Sequence, residues 1–294
     1  MAFGSIDELE GALRGVDYLP DRGLSTALYL ATTLDKPLLL EGEAGVGKTE
    51  AAKALAQASG ARLIRLQCYE GLDVAHAVYE WNYPRQLLHI RAAQDGHVRE
   101  EELFGPEYLI RRPLLEAIDS AEPVVLLIDE IDRADEEFEA FLLEVLSDFQ
   151  ITIPELGTIR AGRKPAVILT SNRTRELHDA LKRRAIFHWI GHPSIEREIE
   201  IVRIRITGVP ERLASEAAAF VRELRGLDLA KPPGVAETID WTMAMNALGR
   251  REIDAEVVQQ TLGSVLKYRE DIEAVQDETL ARLVESARAA AGAR

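Results

Sequence analysis

The sequence predicts an α/β unit built on a parallel β-sheet, followed by an all-helical unit. Over the first two-thirds of the 294 residues, short apolar runs rich in β-branched residues alternate with helical patterns, which is typical of βαβ units. After Pro193 the strand signal ends, and helical patterns cover residues 194–206, 211–225, 236–249, 253–268 and 271–291. We therefore predict two domains, at residues 1–193 and 194–294.

The strands of the first unit are predicted from five short apolar runs. These lie at residues 37–41, 62–66, 124–128, 166–170 and 186–190. The run at 124–128 is uninterrupted, which indicates a central strand buried on both faces. Helices are predicted at residues 49–59 and 135–149, and a mostly helical lead-in at residues 5–33. We expect five parallel strands between two layers of helices, an αβα sandwich.

The composition excludes several classes of protein. With 47% hydrophobic and 29% charged residues, the chain has the balance of a globular protein that buries a core. No apolar run approaches the roughly 18 residues that span a bilayer, and the N-terminus lacks the basic and apolar regions of a signal peptide. The single cysteine, Cys68, cannot form an internal disulfide, which favours the cytoplasm and leaves peripheral membrane docking open. The histidines form no metal-ligand pattern.

The negative charge is concentrated in one segment. The formal net charge is −15, and residues 97–150 alone hold sixteen acidic and four basic residues, a balance of −12. A protein that grips nucleic acid through its phosphates needs the opposite sign, so nucleic-acid binding is disfavoured. A solvated acidic helix face and an acidic docking surface both remain open.

A glycine-rich segment between the first strand and its helix fits the pattern GxxxxGK[ST]. It consists of Gly42, Glu43, Ala44, Gly45, Val46, Gly47, Lys48 and Thr49. Glycines there let backbone N–H groups surround a phosphate, and the helix N-terminus adds partial positive charge. Lys48 can reach the β- and γ-phosphates of ATP, and the Thr49 hydroxyl can ligate Mg²⁺. A chance lysine in a glycine-rich turn explains the pattern less well, because both flanking elements have the expected type.

Polar residues follow two of the other predicted strands. Asp129 and Glu130 come directly after the run at 124–128, at the carboxyl end where open α/β sheets bind ligands. We expect Asp129 to hold Mg²⁺ and Glu130 to act as the base for the attacking water, although such a pair can also cap a helix. Asn172 follows the run at 166–170 and can orient the water or contact the γ-phosphate; an asparagine there is also a common turn former.

Two arginines precede the last strand. Arg183 and Arg184 follow a short helical stretch, residues 176–182. Arg184 is our first choice for a finger that stabilises developing charge in a neighbouring subunit's site. The alternative is a solvated basic helix end that complements the helix dipole.

These four elements, in this order and followed by a helical lid, resemble the AAA+ ATPases over nearly the whole chain. Two insertions are similar to those of the MoxR branch: an aromatic-rich insert at about residues 67–95 and a hairpin at about residues 149–160, with its turn at 154–157. Members of that branch remodel or activate metalloenzymes alongside partners that carry a von Willebrand factor A domain.

Within the branch, the chain resembles the carbon monoxide dehydrogenase maturation ATPases of the CoxD type. The resemblance lies in residues 79–83, 103–108, 111–114, 181–184 and 188–189. It implies a Mg²⁺-dependent ATPase chaperone that works as a hexameric ring on molybdenum- and copper-containing CO dehydrogenase. Other clients, such as rubisco or nitric oxide reductase, stay open, as do a nucleic-acid-linked NTPase and a scaffold that binds ATP without hydrolysing it.

One stretch departs from the MoxR pattern. Relatives place a sensor 2 arginine at the start of a lid helix, whereas residues 237–241 contain none and the nearest are Arg250 and Arg251. The residue that contacts the γ-phosphate from the lid is therefore open.

The insert holds four of the ten Tyr and Trp residues, namely Tyr69, Tyr79, Trp81 and Tyr83. We expect the insert and the hairpin to contact a client, because a core ATPase sheet closes without them and aromatic side chains give large contact area at low entropic cost. In the alternative, Trp81 and its neighbours pack against the lead-in.

Overall fold

The computed structural model describes residues 3–92 and 100–292, which divide into two compact units. The first unit contains the chain up to Gly42 together with Lys48–Trp189. The second contains Glu43–Gly47 together with Ile190 and the residues that follow it. Residues 93–95 of the predicted insert lie outside the described residues. The predicted domain boundary near Pro193 stays a prediction.

The first unit alternates strands and helices. Its strands are β1 Leu38–Gly42, β2 Arg62–Gln67, β3 Tyr79–Trp81, β4 Leu109–Arg111, β5 Val124–Asp129, β6 Gln150–Ile153, β7 Gly157–Arg160, β8 Ala166–Ser171 and β9 Ile186–Ile190. Its helices are α1 Ile6–Arg14, α2 Arg22–Thr33, α3 Lys48–Ser59, α4 Val74–Ala77, α5 Tyr83–Ala92, α6 Glu100–Leu103, α7 Pro113–Ile118, α8 Glu136–Asp148 and α9 Asp179–Arg184. Short 3₁₀ turns lie at Pro106–Tyr108 and Ile131–Arg133.

The main sheet has five parallel strands, as the sequence predicts, and they lie in the order β2–β5–β8–β1–β9. Every residue of β1 and β5 is buried, which explains their uninterrupted apolar character. The register pairs Gln67 with Asp129 and Glu41 with Ser171. Because carboxyl ends of parallel strands share one edge, the polar residues that end these strands are brought together there.

The aromatic insert folds partly into the core. Strand β3 pairs antiparallel with β4, and Trp81 is only 7% exposed, with its ring edge-on to Phe104 at 5.1 Å and to Tyr79 at 6.1 Å between centroids. The prediction that Trp81 is free to contact a client is therefore wrong: in a paired strand it points into the apolar cluster. Its aromatic partners do not belong to the lead-in either. Tyr69 and Tyr83 are exposed.

The predicted hairpin forms from β6 and β7, which pair antiparallel from Gln150–Arg160 to Ile153–Gly157. Phe149, in the left-handed conformation with φ of 49°, ends α8 and turns the chain into the hairpin. Gly157 has φ of 83°, a conformation that glycine adopts without steric cost.

The second unit is helical. Its helices are α10 Ile195–Arg205, α11 Glu211–Arg225, α12 Val235–Ala247, α13 Ala255–Val265, α14 Arg269–Ala274 and α15 Asp277–Gly292. They enclose a separate apolar core in which the rings of Phe220 and Trp241 lie 5.1 Å apart. The single helix predicted at 271–291 is wrong: the chain forms two helices there. Asp277, the first residue of α15, has a left-handed φ of 54°, which prevents α14 from continuing through it. Within residues 3–92 and 100–292, no helix has the length and apolarity needed to cross a membrane.

Candidate functional site

Asp129 is the centre of the polar cluster at the carboxyl edge of the sheet. It is the last residue of β5 and only 2% exposed. Its Oδ1 accepts hydrogen bonds from Thr49 Oγ1 at 3.0 Å and from Thr170 Oγ1 at 2.5 Å. A buried carboxylate needs such partners, because burying an unpaired charge costs on the order of several kcal/mol. Thr49, which the sequence places in the glycine-rich segment, thus lies beside Asp129.

Arg65 on the neighbouring strand holds the other carboxylate oxygen. Its Nε and Nη2 donate to Asp129 Oδ2 at 3.0 and 2.5 Å. Nη2 also donates to Gln67 Oε1, two residues further along β2. Gln67 Nε2 in turn donates to Glu130 Oε2 at 3.1 Å, so side chains of β2 connect the two acidic residues predicted as site residues.

Glu130 is held in an uncommon backbone conformation. Its φ of 55° and ψ of 50° are left-handed, a region that non-glycine residues visit rarely and mostly where the surroundings impose it. Its N–H donates to Thr170 Oγ1 at 2.9 Å, so the same hydroxyl bonds both acidic residues. Arg133 Nη1 lies 3.0 Å from its Oε2, and the side chain is about one-third exposed. This conformation turns the carboxylate off the line of the strand.

Lys48 opens helix α3 and is nearly fully buried. Its Nζ donates to Gly42 O at 2.8 Å, across the glycine-rich segment. Gly45 and Gly47 have φ values of 77° and 95°, conformations that side chains disfavour, so glycine is required at both positions. Lys48 and Thr49 therefore lie in the first turn of a helix, where N–H groups and the helix dipole favour an anion.

Residues 43–47 of the segment group with the helical unit. Within that unit, Ala236 N donates to Gly45 O at 3.1 Å, and a Cβ on Gly234 would lie 2.7 Å from Ala44 O. Only glycine permits that approach. The turn that begins α12, just before residues 237–241, thus meets the glycine-rich loop through backbone atoms. Glu237 caps the helix by accepting from Gly234 N at 2.9 Å.

Asn172 begins the loop after β8, the strand between β5 and β1. Asp132, which is 2% exposed, fixes this loop: its Oδ2 accepts from Asn172 N at 3.2 Å, from Thr174 N at 2.8 Å and from Thr174 Oγ1 at 2.7 Å. Arg173 has a left-handed φ of 58°, and its guanidinium lies 5.8 Å from the ring centre of Trp189. The Asn172 loop is therefore tied to the turn that follows β5.

Arg183 and Arg184 lie at the end of α9, and both are exposed. Arg183 Nη2 lies 4.0 Å from Asp179 Oδ2, a weak pair at that distance and exposure. Arg184 Nη1 donates to Ala180 O at 3.3 Å within the same helix. Both guanidinium groups are thus accessible from outside the subunit.

The oxygen atoms around Asp129 are of the kind that Mg²⁺ prefers. The Thr49 hydroxyl and the Asp129 carboxylate are hard donors that already lie within 3.0 Å of each other. Among the residues that the structure describes, no three His, Cys, Asp or Glu side chains cluster as a metal site. A nucleotide-bound Mg²⁺ needs no such cluster, because phosphates and water supply most of its ligands. The residues present therefore fit Mg²⁺.

Cys68 follows this edge of the sheet but is not a nucleophile. Burial, and then the negative charge of Asp129, raise the pKa of its thiol to about 12, so the thiolate does not form near neutral pH. It is fully buried, as expected of a small apolar side chain.

Residues 38–190 match the family model of AAA, the ATPase family associated with various cellular activities. The match covers more than half of the chain and includes β1, the polar cluster and β9. The chain therefore belongs to this family, and it is an ATPase by class, as the sequence predicts. Nucleotide binding follows from the family fold.

Among curated relatives, the chain is 34% identical over 156 residues to the chaperone protein ClpB of Bacillus cereus, and 29% identical over 178 residues to a ClpA homolog protein of Fuscovulum blasticum. These alignments cover 52% and 57% of this chain but only 14% and 20% of the relatives. The chain thus matches a minor part of each. Among solved structures, the Thermotoga maritima RuvB Holliday junction branch migration motor is 17% identical, with a TM-score of 0.46 over 88% of this chain and 70% of that one.

The residues that join the predicted site residues to each other or to the turn after β5 are not predicted from the sequence. These are Arg65, Gln67, Asp132 and Thr170. Arg65 and Gln67 carried one usable signal, since both are polar residues two apart near the carboxyl end of a predicted strand, on one face of it. The others lie on strand ends and turns whose neighbours depend on strand order.

Proposed function

We propose that the chain binds ATP with Mg²⁺ and hydrolyses it to ADP and phosphate at the carboxyl edge of the main sheet. One observation carries the proposal: the Thr49 hydroxyl lies 3.0 Å from the buried Asp129 carboxylate, directly before Glu130 in its left-handed turn. A hydroxyl and a carboxylate from separate elements, next to a second acid, are what Mg²⁺-assisted phosphoryl transfer requires. Membership of the AAA family supports the same reaction.

The residues divide the work by chemistry. The N–H groups of residues 42–49 and the Lys48 ammonium bind the β- and γ-phosphates, while Thr49 and Asp129 hold Mg²⁺. The metal neutralises charge on the phosphate oxygens. Glu130, partly exposed and turned away from the strand, accepts the proton of the attacking water. Asn172 orients that water or the γ-phosphate, and Asp132 positions its loop.

The proposed roles of Lys48 and Glu130 are separable by experiment. We expect Lys48→Ala to abolish nucleotide binding, because it removes the main side-chain charge facing the phosphates. Glu130→Gln should keep ATP bound and lower turnover by roughly 10²- to 10⁴-fold, the usual worth of a general base. Binding is measured with a fluorescent ATP analogue and turnover by phosphate release. Glu137→Gln, the same substitution at an exposed acid in the first turn of α8, is the control.

Hydrolysis by Glu130→Gln at the parent rate would contradict the role of Glu130. Tight binding of ATP by the parent without measurable turnover would instead favour the alternative function, a scaffold that binds ATP without hydrolysing it.

We further propose that the ATPase works as a ring, with Arg184, or Arg183 in its place, completing the site of the neighbouring subunit. AAA proteins are typically oligomeric, and both arginines are exposed at the end of α9. Fingers of this kind contribute roughly 10³- to 10⁵-fold in rate. Mixing Arg184→Ala with Lys48→Ala subunits should restore part of the activity, because mixed interfaces pair an intact phosphate site with an intact finger. A mixture that assembles but stays inactive would rule out Arg184 as the finger.

We propose that the ring contains six subunits, and mass photometry measures this number.

The proposed task of the ring is to remodel a protein client. Similarity to ClpB, a protein named as a chaperone, supports this class of work, and the acidic segment at residues 97–150 argues against nucleic acid. The sequence resemblance to the MoxR branch suggests a metalloenzyme client, CO dehydrogenase in the first place, with a von Willebrand factor A domain partner. Rubisco-type and nitric oxide reductase-type clients are the alternatives.

The client proposal is tested by reconstitution. Copper- and sulfur-deficient CO dehydrogenase is incubated with the ATPase, its partner, ATP and the missing elements, and CO oxidation is measured. Client contact is probed with the variant Tyr83→Ala, because Tyr83 is 58% exposed whereas Trp81 is buried. We expect unchanged basal ATPase and reduced activation. No activation by the parent protein would exclude this client and move the test to the others.

A further inference from the structure

The two oxygens of the Asp129 carboxylate have different main partners. Oδ1 accepts from the hydroxyls of Thr49 and Thr170, whereas Oδ2 accepts two bonds from the guanidinium of Arg65, at 2.5 and 3.0 Å, and a longer one of 3.3 Å from the Thr49 hydroxyl. The carboxylate is almost completely buried, and the Arg65 guanidinium compensates its charge at hydrogen-bonding distance. Arg65 thereby occupies Oδ2, one of the two oxygens that lie beside the Thr49 hydroxyl, where the metal would bind.

Arginine and Mg²⁺ cannot both neutralise one small carboxylate without repelling each other. A guanidinium binds through planar N–H groups, while Mg²⁺ binds oxygen directly in an octahedral shell. Like charges a few ångströms apart are costly where water is excluded. Metal binding at Asp129 therefore requires the guanidinium to withdraw or to weaken its hold.

Arg65 has room to withdraw. It lies on β2, the edge strand of the sheet, and its side chain is 49% exposed although its partner is only 3% exposed. Its Nη2 also donates to Gln67 Oε1, which offers a resting place outside the carboxylate. A long side chain on an edge strand can move into water at little cost in packing.

We propose that Arg65 is a resident counter-ion of Asp129, one that keeps the buried carboxylate neutralised without metal and competes with Mg²⁺ for it. The inference rests on the proposed function, since it takes Asp129 as a metal ligand. Arg65 is a positioning residue: it sets how tightly the site holds the metal, and it contacts neither nucleotide nor water in the reaction. Arg65 thus protects a buried charge that would otherwise destabilise the fold before metal binds.

The test measures metal binding and not turnover. Mn²⁺ is titrated into the full chain saturated with ADP, and free Mn²⁺ is followed by electron paramagnetic resonance. We expect Arg65→Met to bind Mn²⁺ about twofold to fivefold more tightly than the parent, the effect expected when one partly exposed competing charge is removed. Arg62→Met is the matched control, because Arg62 lies on the same strand, is similarly exposed and pairs with Glu116 instead.

The outcomes are distinct. Unchanged or weaker Mn²⁺ binding by Arg65→Met would overturn the inference and make Arg65 a support of the site. Tighter binding by Arg62→Met as well would also overturn it, since general charge would then explain the effect. If Arg65→Met does not fold, Arg65→Lys decides: loss of the two-pronged contact should tighten Mn²⁺ binding, and no change refutes competition. Failure of the parent to bind Mn²⁺ with ADP would instead contradict the proposed function.

Discussion

The two units bury carboxylates in different settings. In the α/β unit, Asp129 and Asp132 lie where strands end, beside residues with left-handed backbone, and their partners are side chains and loops predicted to handle nucleotide. In the helical unit, Glu198, Glu216 and Asp271 lie between helices and the loops that join them. The comparison shows that a buried acid indicates function only when its partners come from the ends of several strands.

The helical unit uses its buried acids to join segments. Asp271 accepts from the N–H groups of Ala230 and Lys231 at 2.7 and 3.1 Å, and Glu216 accepts from Ile253 N at 2.8 Å. Glu198 binds Arg225 through both oxygens. One acid of the α/β unit behaves in the same way: Glu139 accepts from His178 N at 2.9 Å and orders the start of α9. Whether a buried acid joins segments or lies in the candidate site therefore depends on its local surroundings more than on the unit that contains it.

Removing a joining acid should cost stability. Glu198→Ala leaves the guanidinium of Arg225 without a carboxylate partner although its side chain is only 11% exposed. We expect the free energy of unfolding to fall by about 3 kcal/mol, the lower end of the range for a broken buried pair, because Pro233 O and Thr238 Oγ1 still accept from Arg225. Urea unfolding followed by circular dichroism measures this. Glu273→Ala, which breaks an exposed pair with Arg269, is the control and should cost less than about 1 kcal/mol. An unchanged urea midpoint for Glu198→Ala would break the comparison.

The aromatic insert offers a second way to sharpen the comparison, because it contains one buried and one exposed aromatic close in sequence. Trp81→Ala removes a ring packed against Phe104 and should lower the free energy of unfolding by about 3 kcal/mol. Tyr83→Ala, at an exposed position, should change it by no more than about 0.5 kcal/mol. Equal effects in differential scanning calorimetry would mean that Trp81 is not part of the core.

The sequence predicts those parts of the fold that rest on local pattern. The strands at residues 124–128 and 166–170 and the hairpin at 149–160 are confirmed within a residue or two, because apolar runs and turn residues are local signals. The break before Asp277 is not predicted, since its helical periodicity continues on both sides and only the backbone conformation differs.

The candidate site is predictable in its motif residues and not in the bonds between them. Lys48, Asp129 and Asn172 follow from spacing relative to strands. That Arg65 bonds Asp129 depends on β2 lying next to β5, a tertiary fact that no local pattern contains. The burial of Trp81 is not predicted from the sequence either, because a three-residue strand gives too short a pattern to show which face points inward.

A smaller effect is expected at Asp132, which tests the functional side of the comparison. Asp132→Asn retains one oxygen but replaces a charged acceptor of bonds from Asn172 N and Thr174 by a neutral one, at a cost of about 1 kcal/mol. We expect turnover to fall about tenfold while ATP affinity stays close to the parent value. Asp135→Asn, a substitution at the N-cap of α8, is the matched control and should leave turnover unchanged. A loss of stability without loss of turnover would class Asp132 with the joining acids.

The smallest expected effect is on the pH dependence of stability, and it involves His188, a half-buried histidine of the α/β unit. Burial lowers the pKa of His188, and the charge of Asp21, 3.8 Å away, offsets this only in part. Because the folded pKa lies below the unfolded value of about 6.5, the unfolded chain binds the proton more readily, and stability falls as pH drops below about 6.5. His188→Gln should remove less than about 1 kcal/mol of this loss between pH 8 and 5, measured by urea unfolding at each pH. A steeper loss of stability with acid in His188→Gln would show that His188⁺ and Asp21 form a stabilising pair, and the assigned direction of the pKa would then be wrong.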